Sequence, residues 1–135
     1  MALIEWSDKL SVKIQEFDNQ HQTLAATINE LYEAMRSTRE EEVRRVLFSR
    51  LVDSTKQHFA AEERPMQKHG YGGYDAHKLQ HDILTKQVDR LNTQLHQGQA
   101  VLTLEVMEFL KDWLLDHIAQ SDMLYIPFLT QRGIG

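Results

Sequence analysis

Four separate segments of this chain each carry a metal-ligating side chain on the face that should be buried. They are His21 alone, His58-x3-Glu62, His77-x3-His81, and His117 with Asp122 five positions on. In each segment apolar residues recur at helical spacing, and the histidines continue the apolar stripe instead of the solvated face. A lone histidine on such a stripe is ordinarily a core residue satisfied by a neighbour. Here five of the chain's seven histidines lie on stripes, together with two carboxylates. Each one buried without a partner costs roughly 1–3 kcal/mol, and a domain of about 5–15 kcal/mol total stability cannot absorb that load. A fold that gathers the four stripes around a metal supplies the partner.

The pattern predicts an all-α protein. The first eighteen residues hold Leu3, Ile4, Trp6, Leu10, Val12, Ile14 and Phe17 without helical spacing, which reads as an extended N-terminal arm anchored by Trp6. A first helix is expected from about Asn19 to Ser37, with His21, Leu24, Ile28, Leu31 and Met35 on one side. Thr38-Arg39-Glu40-Glu41 reads as a capping box opening a second helix. That helix should run to about Arg64 with Val43, Leu47, Leu51, His58 and Glu62 inward, until Pro65 ends or kinks it. A third is expected over Asp75 to Gln97, its stripe being His77, His81, Leu84, Val88, Leu91 and Leu95, with Gly98 past its end. Thr103 should cap a fourth, with Val106, Leu110, Trp113 or Leu114, and His117 inward and Pro127 closing it. Short connections make neighbouring helices antiparallel, so the expected assembly is an up-down-up-down four-helix bundle. The chain reads as one domain, residues 1–135, with the arm over about 1–18 and the bundle over about 19–128.

Composition removes several function classes. With no cysteine there can be no disulfide, zinc–thiolate site or iron–sulfur cluster. The net charge of −5 disfavours nucleic acid as a partner. No apolar run is long enough for a membrane span, and the N-terminus lacks the pattern of a signal peptide. A cytoplasmic protein is expected.

Helical geometry says which donors can meet. Residues four apart point the same way, so His58 with Glu62, and His77 with His81, can each present two donors to one point. Glu63 lies about 100° further round and should face outward. His117 and Asp122 differ by about 140° on a regular helix. If both are ligands, the helix there must either widen into a π-type turn or end. Five imidazoles, two carboxylates bridging a metal pair and one shared oxygen would fill eleven of the twelve positions around two six-coordinate metals. One open position marks a reactive site. The nitrogen and oxygen donors suit iron, and also manganese or cobalt. The chain has neither His-Glu-x-x-His nor the Glu-x-x-His pairs of ferritin-type bundles. His69 and His96 fall outside the stripes and are expected to be exposed. Tyr125 reads either as a hydrogen-bond donor near the bridge or as core.

The chain resembles the hemerythrins, specifically the single-domain bacteriohemerythrins. The likeness runs from Ile4-Glu5-Trp6-Ser7 and Val12 through Phe17-Asp18-x-Gln20-His21-x2-Leu24 and His58-Phe59-x2-Glu62-Glu63. It continues over Tyr74 to His81 and ends at Trp113-Leu114-x2-His117-Ile118-x3-Asp122. The resemblance implies reversible O2 binding at a non-haem di-iron centre, in an oxygen carrier or store. By it, His77, His81 and His117 hold one iron, while His21 and His58 hold the second, which keeps the open position. Glu62 and Asp122 bridge the two, together with an oxo or hydroxo group. It also implies an apolar O2 pocket of Leu24, Phe59, Trp113, Leu114 and Ile118, with Leu114 nearest the gas. Partners would be O2 itself, an oxygen-consuming enzyme or an electron donor, and a monomer is expected. The alternatives are a di-iron redox enzyme (peroxidase or nitric-oxide handling), an O2 or iron sensor, or a partner-binding bundle without metal.

Overall fold

A computed structural model describes residues 3–37 and 41–134. It is a bundle of antiparallel helices with no strand among the described residues, and none of its helices is long and apolar enough to cross a membrane. Helix α1 spans Gln15–Arg36, α2 Glu41–Lys68, α3 Tyr74–His96 and α4 Leu104–His117. A π-helical turn, Ile118–Asp122, continues α4 directly into α5, Met123–Thr130, so these three pieces form the fourth rod. Helix α1 packs on α2 and α4, and α2 packs on α1 and α3. The stripes expected from periodicity face the core: Leu24, Ile28, Leu31, Leu47, Leu51, Leu84, Val88, Leu95 and Leu110 are all buried.

Three boundaries differ from expectation. Helix α1 begins at Gln15, so the arm is shorter and breaks into a 3-10 turn at Asp8–Leu10. Its anchors are Ile4, Val12 and Ile14, all buried, and Trp6 is only half-buried. Side chains of α1 tie the arm down. Asn29 pairs with both backbone groups of Ile4 at 2.8 Å, and the Asp18 carboxylate accepts from Ser11 Oγ at 2.6 Å and Val12 N–H at 2.8 Å. Asp18→Ala leaves that amide unpaired beside a buried valine, which costs about 1–3 kcal/mol. Thermal denaturation should show a Tm lower by several degrees, with metal content unchanged because the side chain binds the arm and not the site.

Neither proline ends its helix. Pro65 lies inside α2, whose last turn buries Met66 completely. The helix stops at Gly70, whose φ of +72° puts it in the left-handed region. Gly70 N–H then donates to Gln67 O, and Tyr71 N–H to Met66 O. Those bonds satisfy the carbonyls the ending leaves free. Gly98 closes α3 in the same manner, with φ +72° and Gln99 N–H donating to Gln94 O. Pro127 sits on the exposed side of α5, which runs only to Thr130. A proline's missing donor and bulky ring cost least close to a helix end on the solvent side. Thr103 caps α4 as expected, its Oγ1 accepting from Val106 N–H at 3.2 Å. Of the capping box Thr38-Arg39-Glu40-Glu41, residues 38–40 lie outside the described residues, and Glu41 opens α2.

Candidate metal centre

The four rods bring His21, His58, Glu62, His77, His81, His117 and Asp122 together in the core, every one of them buried. The π turn is what adds Asp122. Its wider winding swings the carboxylate onto the same side as His117, so that Asp122 Oδ1 lies 3.0 Å from His117 Nε2. Of the two ways sequence allowed for bringing this pair together, widening is the one realised; the helix continues beyond it.

Each carboxylate turns one oxygen to each group of histidines. Glu62 Oε1 faces His81 Nε2 at 3.3 Å and His77 Nε2 at 3.5 Å, while Oε2 faces His58 Nε2 at 3.2 Å and His21 Nε2 at 3.4 Å. Asp122 Oδ1 faces His77 and His117 at 3.0 Å, and Oδ2 faces His21 at 3.1 Å. Two overlapping donor sets result: Glu62, His77, His81, His117 and Asp122, and His21, His58, Glu62 and Asp122.

Protein hydrogen bonds do not satisfy this cluster. His21 Nδ1 and Nε2, Glu62 Oε1, His77 Nε2 and both Asp122 oxygens are buried without a hydrogen-bond partner. Close approach without hydrogen-bond alignment is what lone pairs aimed at a common centre produce. His81 and His117 add a second sign. The Nδ1 of His81 donates to Glu63 Oε2 at 2.8 Å and that of His117 to Gln80 Oε1 at 2.8 Å. Both Nε2 atoms in their neutral rings therefore carry lone pairs, yet lie 3.0 Å apart. A cation between these groups relieves each of these conflicts except that of His21 Nδ1, so the donor set fits a metal.

A family model described as the hemerythrin HHE cation binding domain matches residues 12–129. The chain belongs to the hemerythrin family. The bacteriohemerythrin of Methylococcus capsulatus is 34% identical over 131 residues, covering 96% of this chain and 99% of that one. The bacteriohemerythrin of Pseudomonas aeruginosa PAO1 is 34% identical over 126 residues, covering 93% of this chain and 81% of its own length. A crystal structure of wild-type hemerythrin superposes with a TM-score of 0.91 at 32% identity, over 96% of this chain and 99% of that one.

Beside this hemerythrin-type site lies an apolar cavity of about 30 Å3. Its lining continues the four ligand stripes. Leu24 and Ile28 follow His21, Thr55 and Leu51 precede His58, Leu84 and Val88 follow His81, and Leu114 and Leu110 precede His117. Antiparallel rods send all four stripes the same way along the core. Of the five expected pocket residues, Leu24, Phe59, Trp113 and Leu114 line this cavity; Ile118 is fully buried on the π turn and does not. Thr55, the one hydroxyl present, spends its proton on Leu51 O at 2.7 Å.

Protons compete with a metal for these lone pairs. Burial disfavours the charged form of His21 and of His77, but contact with Asp122 and Glu62 outweighs it, and both are pushed up to about 9. Burial likewise works against the Glu62 and Asp122 anions, and for Asp122 the charge of Glu62 adds to it. The surrounding histidines prevail, and both carboxyls fall below their ordinary values. His117 moves the other way, lowered by burial despite Asp122. Raised histidine values mean stability that is complete below the unfolded value of 6.5 and is lost as pH rises through about 9. The carboxylates and His117 are lowered, so their contributions are already complete above pH 6.5. The metal-free protein should therefore lose Tm between pH 6.5 and 9, while metal binding, which displaces those protons, strengthens. Melts of metal-free and metal-loaded protein at the two pH values check this: the gap in Tm between them should widen at pH 9.

Sequence reasoning turned Glu63 outward, whereas its carboxylate backs His81 and lies 3.5 Å from Lys78 Nζ. It named Gln20, whose Oε1 is 2.5 Å from His58 Nδ1, only within the family motif, and gave no role to it or to Gln80, which also accepts from Ser121 Oγ at 2.7 Å. One signal was available: Gln20 and Gln80 each directly precede a stripe histidine, and each faces the adjoining rod. Tyr125 is both of its alternatives, fully buried and donating to Glu62 Oε2 at 2.6 Å. His96 is exposed and His69 half-buried, both away from the cluster.

Proposed function

We propose that this protein binds O2 reversibly at a pair of irons, as an oxygen carrier or store. The observation that carries the reading is the division of each carboxylate between the two histidine groups, because one metal would leave half of those oxygens facing nothing. His77, His81 and His117 would hold one iron, His21 and His58 the other, with Glu62 and Asp122 shared and an oxo or hydroxo group completing the bridge. When bound, a ferrous pair supplies the two electrons that O2 takes up and returns.

The rest is done by the chain. Leu24, Phe59, Trp113 and Leu114 wall the site on its cavity side, and an apolar cavity of this size stays dry while admitting a small nonpolar gas. Dryness would matter because water or anions entering this cavity would compete with the gas for the place beside the histidines. The two-histidine group offers fewer protein donors than its neighbour, so an open position would lie there. Tyr125 keeps its proton, held well above the ordinary tyrosine value by burial and by the charges of Glu62 and Asp122. Its hydroxyl therefore serves as a fixed donor to the bridging Glu62.

Anaerobic reduction followed by exposure to O2 tests the reading. A charge-transfer band that appears with O2 and disappears when O2 is removed, over repeated cycles, is the expected result. Rapid bleaching with net consumption of O2 would replace it with a redox enzyme.

A further inference from the structure

We propose that the two halves of the site bind metal with unequal strength, and that Glu63, through its carboxylate on His81, makes the three-histidine half fill first. The inference rests on the two-metal reading above and concerns what lies behind the ligands.

The side chains behind the imidazoles differ between the halves. In the three-histidine half, His81 Nδ1 donates to the Glu63 carboxylate at 2.8 Å, and His117 Nδ1 to the Gln80 carbonyl at 2.8 Å. Gln80 is itself fixed by Ser121 Oγ at 2.7 Å. In the two-histidine half, His58 is backed by the neutral Gln20, and His21 Nδ1 is buried without any hydrogen-bond partner among the described residues. Among the described residues Glu63 is thus the one anionic acceptor behind any of these imidazoles, and His77 Nδ1, like that of His21, makes no hydrogen bond to them.

An acceptor on Nδ1 fixes the tautomer that leaves Nε2 free for the metal and holds the ring in position. A carboxylate does more than an amide: it also makes the ring a stronger donor. Glu63 is held for this task. It is largely buried, bonded across from α2 to α3, and braced by Lys78, whose Nζ lies 3.5 Å from Glu63 Oε1 and 3.1 Å from Asp82 Oδ1. His21 is in the opposite position. No hydrogen bond from the described residues holds its Nδ1, so a metal in its half depends more on the shared carboxylates.

Anaerobic titration of metal-free protein with Co2+ against a competing chelator reads the two sites separately. The wild type should take up two equivalents in two resolved steps. Glu63→Gln keeps an acceptor for His81 and removes the charge, and it should weaken the first step by about 10–100-fold while changing the second less than about 3-fold. Gln20→Ala should do the reverse, weakening the second step alone. Metal-free Tm should be the same in the wild type and in Glu63→Gln, which separates positioning of a ligand from packing of α2 on α3. Equal weakening of both steps, no weakening of the first, or a loss confined to metal-free Tm would each overturn the inference. Uptake of fewer than two equivalents by the wild type would overturn the two-metal reading beneath it, and the inference with it.

Discussion

His77→Ala is expected to purify with well under half of the wild-type iron and to keep little of it through desalting. Its Nε2 is the one imidazole nitrogen within 3.5 Å of both carboxylates on the three-histidine side, at 3.0 Å from Asp122 Oδ1 and 3.5 Å from Glu62 Oε1. On the proposed reading alanine removes a donor from the three-histidine half, and it leaves two fully buried carboxylates with one fewer counter-charge. Breaking a buried charged group away from its partner costs about 3–5 kcal/mol, so the metal-free variant should melt well below the wild type, most clearly near pH 6.5, where His77 is charged. Iron analysis beside circular dichroism checks both effects. Full iron content in folded His77→Ala would remove this residue from the ligand set.

Leu114→Ala is expected to change function more than structure. Leu114 is buried three residues before His117 and lines the cavity against Leu24, Phe59 and Trp113. Truncating a buried leucine costs roughly 2–5 kcal/mol, but metal bound to the folded state offsets part of that. The enlarged cavity should admit water and small anions. Autoxidation of the oxygenated protein and azide binding should both be faster, with iron content and helicity near wild type. Following the decay of the oxygenated band beside circular dichroism decides it. An unchanged decay rate in a folded variant would make Leu114 ordinary core and shift attention to Trp113, which lines the same cavity and stacks on His117 at a centroid distance of 4.5 Å.

What was legible in the sequence followed from helical periodicity, which is a local property. The 3- and 4-residue steps from His21 to Leu31 and from His77 to Leu95 require only that each helix bury one side, and both stripes are buried except for the half-buried Leu91. The five-residue step from His117 to Asp122 was legible for the same reason, since no regular helix aligns that spacing and the π turn does. The features that escaped depend on partners in other rods. Glu63 lies off its own stripe, and it turns inward because α3 presents His81 Nδ1 beside it. The anchoring of the arm by Asn29 is likewise a pairing across 25 residues with no local trace. The prolines misled for another reason. Proline disfavours a helix interior, but burial of Met66 and the left-handed Gly70 outweigh that preference over one remaining turn.

The most direct test is the metal content of freshly purified protein. Glu62 and Asp122 each face two histidine groups, and the proposed reading places two metals per chain there, with nitrogen and oxygen donors only. Elemental analysis should return two irons per chain, and His69→Ala, altered away from the cluster, should return the same. One zinc per chain and no iron would contradict the account.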